Sequence, residues 1–239
     1  MNKYFVVSDV HGFYDIMIEA LEKAGFDKNN PNHYLISCGD NFDRGDQPNE
    51  ILKYLLSLER VILIRGNHED LIEECVERGY PEWHDSSNGT MKTIATLGGL
   101  KNHHTFELAC ITAEARLKPL LEKMVNYFET ENYVFVHSFI PYELGKEWRE
   151  ATNKEWSRAR WGDPFALCAK NLWKENKTLV FGHWHTSKMW SKDLGLPQHD
   201  KDESKFDIYY GKNYIGLDAC TVISEQVNVL ILEDEECSG

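Results

Sequence analysis

The sequence predicts an α/β fold in which a parallel sheet is joined by a second group of short strands. Three observations carry that prediction. Apolar runs alternate with segments of helical period three times between Tyr4 and Arg78. The strand-like runs are continuously apolar, as expected of strands covered on both faces by crossover helices. The C-terminal third holds Tyr214 to Leu217 and Val227 to Leu232 as short strands without a helix between them, which predicts an antiparallel second sheet.

In chain order, Tyr4 to Ser8 is a strand, and Tyr14 to Ala24 is a helix that places Ile16, Met17, Ala20, Leu21 and Ala24 at helical spacing before Gly25. His33 to Cys38 and Pro48 to Leu58 repeat the unit; Val61 to Ile64 and a helix from about His68 to Arg78 repeat it again. From Gly79 to Lys101 the pattern breaks at Pro81, Asn88, Gly89, Gly98 and Gly99, and a longer helical stretch from about Glu107 to Phe128 follows. Residues 79–128 therefore read as a cap or insert within one domain spanning 1–239. Tyr133 to Val136 and Thr178 to Phe181 are two more buried strands, each ending at a histidine.

Lys and Arg number 26 against 39 Asp and Glu, and the net charge of −13 argues against a broad electrostatic grip on nucleic acid or on an anionic membrane. An anionic substrate then needs a local positive focus, which metals and arginines supply. No apolar stretch approaches the roughly 20 residues of a membrane span, and no charged leader with an apolar signal segment precedes Tyr4. The expectation is a cytoplasmic protein. Cys38, Cys75, Cys110, Cys168, Cys220 and Cys237 show no CxxC pair and read as reduced structural thiols.

Four segments, SDVHG (Ser8 to Gly12), GDNFDRG (Gly39 to Gly45), RGNHED (Arg65 to Asp70) and FGHWH (Phe181 to His185), concentrate Asp, Asn and His at strand ends. Hard oxygen and imidazole donors from separate strand ends suit two divalent cations that activate a water and clamp a phosphoryl group. Asp9 and His11, two apart, can chelate one cation; Asp40, with two carboxylate oxygens, is the natural bridge; Asn67, His137 and His183 can complete the second shell. His68, beside Asn67, suits a general acid; Asp43 can hold its far ring nitrogen, and Arg44 offers a planar fork to phosphate oxygens. Any one of these residues alone is more often a cap or turn residue; the weight lies in the set. His33, His84, His103, His104 and His199 fall outside it, and the tryptophans, among them Trp148, Trp156, Trp161 and Trp173, read as core or cap packing.

The ordered blocks DVHG, GDNFDRG, RGNHE, a strand-ending His137 and GHWH resemble the calcineurin-like metallophosphoesterases, in particular their phosphoprotein phosphatase branch. The resemblance implies a β-sandwich of two mixed sheets flanked by helices. It places Asp9, His11 and bridging Asp40 on the first metal, Asn67, His137 and His183 on the second, His68 with Asp43 as the acid dyad, and Arg44 on phosphate. The stretch WSRAR is similar to the branch's WxRxR, which puts a second phosphate-binding arginine at Arg158, with Arg160 as the fallback. Three positions depart from the pattern. Ser8 replaces a glycine, a local turn change; Ser138 and Phe139 follow His137; and His185 stands where protein phosphatases continue with Thr-Pro, so that it resembles the GHxH ligand pair of the wider superfamily and becomes a further candidate on the first metal.

The activity implied is hydrolysis of phosphomonoesters, as by a serine/threonine protein phosphatase, through direct attack of a metal-bridging hydroxide. The cofactors implied are two divalent ions, manganese first, with iron and zinc compatible. Cleavage of dinucleoside polyphosphates such as diadenosine tetraphosphate is the alternative. A catalytically silent binding module is disfavoured, because no reactive position is missing. The expected partner is a phosphorylated protein or a small phosphoester, with no nucleic acid and no membrane.

Overall fold

A computed structural model describes residues 2–100 and 105–235; His103, His104 and Cys237, named above, lie outside them. The strands are β1 (Asn2–Val7), β2 (His33–Ser37), β3 (Val61–Leu63), β4 (Tyr127–Glu129), β5 (Tyr133–Val136), β6 (Thr178–Phe181), β7 (Tyr209–Gly211), β8 (Tyr214–Gly216) and β9 (Leu230–Asp234). The helices are α1 (Tyr14–Lys23), α2 (Pro48–Ser57), α3 (Asn67–Arg78), α4 (Trp83–Asn88), α5 (Thr90–Leu97), α6 (Phe106–Leu121), α7 (Asn153–Ala159), α8 (Pro164–Ala169), α9 (Ser187–Leu194) and α10 (Thr221–Ser224). Two mixed sheets form, in the orders β3-β2-β1-β9 and β4-β5-β6-β8-β7.

The alternation of side chains along β1 shows how the layers stack. Phe5 and Val7 point, with Leu35 and Leu63, into a core shared with Met17, Leu21, Ile51 and Ile72 of α1 to α3. Tyr4 and Val6 point the other way, with Ile36 and Ile64, against Phe135, Val180 and Ile215 of the second sheet. The far face of that sheet, Val134, Val136, Leu179 and Phe181, packs on Trp148, Trp156 and Phe165. The continuous apolar runs thus reflect helices on one face and a second sheet on the other, instead of the helices on both faces that the sequence pattern predicts. Burying two faces of every central strand supplies the main folding drive.

The C-terminal strands also correct the sequence reading. β8 runs parallel to β6 and antiparallel to β7, whereas β9 leaves that sheet and pairs antiparallel with β1, Val6 opposite Leu230. The two runs expected to share one antiparallel sheet therefore lie in different sheets. The helix expected to reach Phe128 ends at Leu121; Val125 bridges to Ile64, and Tyr127 and Phe128 pair with β5, because aromatic residues fit a half-buried strand better than a helix end. The break after Gly79 contains α4 and α5, separated by Gly89 at φ 91°. These helices with α6 bury Ile94, Leu97, Ala109, Ala113, Leu117 and Leu120 in the α1–α3 core, so most of residues 79–128 forms part of the helical layer. Among the described residues, no helix is long and apolar enough to cross a membrane. Cys38, Cys75, Cys110, Cys168 and Cys220 are free thiols.

A charged clamp fixes the β4 edge. Glu129 accepts from Arg149 Nε at 2.6 Å and Nη2 at 3.0 Å, and from Lys177 Nζ at 3.0 Å. Burial alone raises the Glu129 carboxyl, but these cations outweigh it and hold it below its ordinary value of 4.5. A depressed folded value means that the clamp stabilises the fold above about pH 4.5 and that this contribution is lost as the pH falls through the folded value. Thermal melts between about pH 6 and 3 are expected to fall more steeply for the wild type than for Glu129→Gln; parallel curves would contradict the clamp.

Candidate metal centre

Strand direction brings the polar segments together. β1, β2 and β3 are mutually parallel, as are β5 and β6, and the loops after β1, β2, β5 and β6 carry Asp9, Asp40, His137 and His183 at one end of the sandwich. The loops brace one another. Asp9 N donates to Gly39 O at 3.1 Å, His11 N to Asp40 O at 2.9 Å, Gly12 N to Asn41 O at 2.8 Å, and Gly182 N to His137 O at 2.8 Å. This bracing holds non-glycine residues in the left-handed region: Asp9 (φ 52°), His11 (50°), Asp40 (56°), Asp43 (68°), Arg44 (62°) and His183 (64°). Each costs about 1 kcal/mol or more, and such strain concentrates where side chains must be aimed.

Asp40 is the hinge of the arrangement. Its carboxylate belongs to two groups whose donor atoms lie within 4.8 Å of one another, one with His11 and His68, the other with His137 and His183. His11 Nε2 stands 3.8 Å from Asp40 Oδ2, and His137 Nε2 stands 3.5 Å from Asp40 Oδ1. The far nitrogens of both rings are occupied: His11 Nδ1 lies 2.9 Å from Phe42 O and His137 Nδ1 2.8 Å from Cys38 O. Donation to those carbonyls fixes the tautomer that leaves each Nε2 lone pair pointing inward, the orientation that a metal-binding imidazole requires. Asn67 Oδ1 is 2.8 Å and His183 Nδ1 3.3 Å from His137 Nε2, so these three side chains lie together.

Electrostatics fit the same donor set. Burial lowers His11 well below its ordinary range, with Arg44 and His68 adding to the effect; burial and His137 bring His183 down to about 3. Both rings are neutral donors at ordinary pH. Burial alone raises Asp40, but His137, His68, His11 and His183 hold it well below the usual carboxylate range. Asp9 is raised, first by burial and then by the negative charges of Asp218 and Asp40. Asp9, Asp40 and Asp218 are buried acidic side chains gathered at one end of the sandwich, and bound cations would relieve the repulsion among them.

His68 and Asp43 are also brought together. His68 Nδ1 lies 2.7 Å from Asp43 Oδ2, which accepts from Thr90 Oγ1 at 2.6 Å, while Thr93 Oγ1 accepts from Asp43 N at 3.0 Å. Arg44 Nη2 is 3.3 Å from His68 Nε2, so guanidinium and imidazole face one volume. Burial opposes charge on His68, but the Asp40 charge and the Asp43 hydrogen bond outweigh it and raise the imidazole above its ordinary value.

Three sequence candidates stand further out. His185 Nε2 is 3.8 Å from Asp218 Oδ2 and its Nδ1 3.4 Å from His199, and neither group of donors around Asp40 includes it among the described residues. Arg158 is exposed on α7 and lines a cavity of about 520 Å³ with Phe139, Tyr142 and Trp161. Arg160, the fallback, is buried and engaged elsewhere: Nη1 donates to Asp70 Oδ2 at 2.7 Å and Nη2 to Asn126.

Several contributors went unassigned in the sequence. Ser8 Oγ donates to Asp9 Oδ2 at 2.5 Å, and His183 N donates to the same oxygen at 2.9 Å, so Ser8 is tied to a candidate ligand and does more than shape a turn. Glu69 accepts from Gly66 N (2.8 Å), Asp40 N (3.0 Å) and Asn41 N (2.8 Å), stitching the β2 and β3 loops together. Asp218, just past β8, obeys the same rule of polar residues beyond strand ends that marks the others. Two glycines permit the crowding: a Cβ at Gly182 would lie 2.0 Å from Asp9 Oδ2, and one at Gly66 would lie 2.2 Å from Asp40 Oδ1.

The chain is similar in sequence and in fold to known proteins. Over 70 residues, 29% of this chain and 24% of the relative, the sequence is 43% identical to a symmetrical bis(5'-nucleosyl)-tetraphosphatase of Buchnera aphidicola. Over 73 residues, 30% of this chain and 32% of the relative, it is 37% identical to serine/threonine-protein phosphatase 2 of Salmonella typhimurium. The matched stretch thus spans about a quarter to a third of these curated relatives. In fold, the chain is similar to a cold-active protein-tyrosine phosphatase of Shewanella, with a TM-score of 0.54 at 18% identity, covering 98% of this chain and 76% of that one. Residues 3–208 match the family of calcineurin-like phosphoesterases, and with that span and the two-sheet architecture the chain belongs to this family.

Proposed function

We propose that the protein hydrolyses phosphomonoesters at a binuclear metal centre, in the manner of a serine/threonine protein phosphatase. The observation that carries this reading is the single Asp40 carboxylate shared between two groups of histidines, with the His68–Asp43 pair and Arg44 beside it. Asp9, His11 and Asp40 would hold one cation and Asp40, Asn67, His137 and His183 the other, with His185, 3.8 Å from Asp218, a further candidate on the first. Manganese is the proposed metal, because a mixed oxygen and imidazole shell suits it. When bound, such a pair of ions supplies an activated water and neutralises charge on the phosphoryl oxygens.

The chain's own residues do the rest. The Arg44 guanidinium offers parallel N–H donors to two phosphoryl oxygens, and Arg158 supplies a second positive group from α7. Asp43 keeps the His68 ring oriented with a proton on Nδ1, while Nε2 gives its proton to the departing ester oxygen. The nearby Asp40 charge favours the protonated ring that this role needs.

A substrate panel tests the reading. With manganese added, p-nitrophenyl phosphate and phosphoserine peptides are expected to be hydrolysed faster than diadenosine tetraphosphate. The reverse order would favour the dinucleoside polyphosphatase alternative, which the Buchnera relative supports. No hydrolysis of any member would contradict both.

A further inference from the structure

Three members of the tryptophan series behave as the sequence suggests: Trp148, Trp156 and Trp173 are buried against the second sheet. Trp161 does not. Its side chain is 53% exposed, and its ring stands edge-on to that of His183, 6.2 Å between centroids at 88°. It lines both the cavity that contains Arg158 and a second cavity of about 420 Å³, lined also by His183, Trp184, His185 and Lys188.

This exposed indole sits on a braced support. Trp161 N donates to Arg158 O at 3.2 Å, one turn back. The next residue, Gly162, presents its carbonyl to Ser138 Oγ at 2.8 Å and to Trp184 Nε1 at 3.1 Å. Asp163 then accepts from Lys188 Nζ at 2.7 Å, and that ammonium lies 3.7 Å from the Trp184 ring centroid. A large aromatic face is thus left open to solvent on a backbone pinned on both sides, between a candidate metal ligand and a candidate phosphate-binding arginine. A ring stacked there loses little freedom on binding, because the platform is already ordered.

We propose that Trp161 seats the aromatic ring of a phenolic leaving group, so that the centre accepts aryl phosphates, phosphotyrosine among them, beside the alkyl phosphates of the proposed function. The inference rests on the phosphomonoesterase reading above and adds the leaving-group class. A phenol carries its ring one oxygen away from the scissile phosphorus, close enough for a platform whose ring stands 6.2 Å from that of the candidate ligand His183 to reach it. In a dinucleoside polyphosphate the ribose and a further phosphate separate the base from the scissile phosphorus, and a phosphoserine has no ring to stack.

The test compares kcat/KM for matched phosphotyrosine and phosphoserine peptides, with diadenosine tetraphosphate as a third arm. Binding of phenylphosphonate against methylphosphonate, followed by calorimetry, provides a readout apart from turnover. Trp161→Ala is expected to lower the tyrosine-to-serine ratio by about tenfold and the phenyl-to-methyl binding preference similarly, within the range for single stacking contacts. Trp161→Leu, which keeps much of the side-chain bulk, is expected to match it, and Trp161→Phe to retain most of the ratio. Unchanged ratios, or a loss confined to diadenosine tetraphosphate, would overturn the phenolic assignment while leaving phosphomonoesterase activity standing. A manganese-loaded wild type that hydrolyses neither peptide would remove the phosphomonoesterase reading and the role of Trp161 with it.

Discussion

Asp40→Asn is expected to lower turnover of p-nitrophenyl phosphate by at least about 10³-fold and to reduce the content of both metals. The amide keeps one carbonyl oxygen, enough to accept the His68 N–H that Asp40 Oδ1 now accepts at 2.9 Å, so the α3 entry is expected to persist. What it removes is the second anionic oxygen and the charge shared by the two histidine groups. Metal counting beside a thermal melt separates the two effects. A folded variant that retains both metals and most activity would show that Asp40 is not the bridge.

His68→Asn is expected to leave both metals bound and to lower kcat by about 10²- to 10⁴-fold for alkyl phosphates, the range associated with general acid catalysis. The loss is expected to shrink for p-nitrophenyl phosphate, whose leaving group departs without needing a proton. Equal losses for the two leaving groups would argue that His68 acts by position or charge instead of proton donation. Because His68 Nδ1 is tied to Asp43 and Asp43 to Thr90, Thr90→Val is expected to reproduce a smaller part of the same leaving-group pattern.

Much of the site was legible because of where its residues fall. Asp9, Asp40, His137 and His183 each come one to three residues past a continuous apolar strand, and parallel strands deliver such positions to one end of a sheet. What spacing leaves out is contact between distant loops. Nothing in the local sequence says that Thr90, in a stretch broken by glycines, reaches Asp43, or that Ser8 and the His183 backbone share one oxygen of Asp9. Apolar runs show that a strand is buried on two faces but not by what, and so the second sheet's role as the other cover, and the return of β9 to β1, emerged only from the fold. Trp161 illustrates the same limit: its residue type suggests packing, and only its surroundings show it open beside His183.

The Asp40 carboxylate is proposed to hold two cations that both serve hydrolysis. The most direct test of that proposal is manganese content against activity in a single preparation titrated from the exhaustively chelated protein. Activity is expected to be absent at zero, to be restored by manganese and to reach its plateau at two ions per chain, with His183→Ala stopping near one. Full hydrolysis of p-nitrophenyl phosphate by verified metal-free protein, or a plateau at one ion per chain, would contradict it.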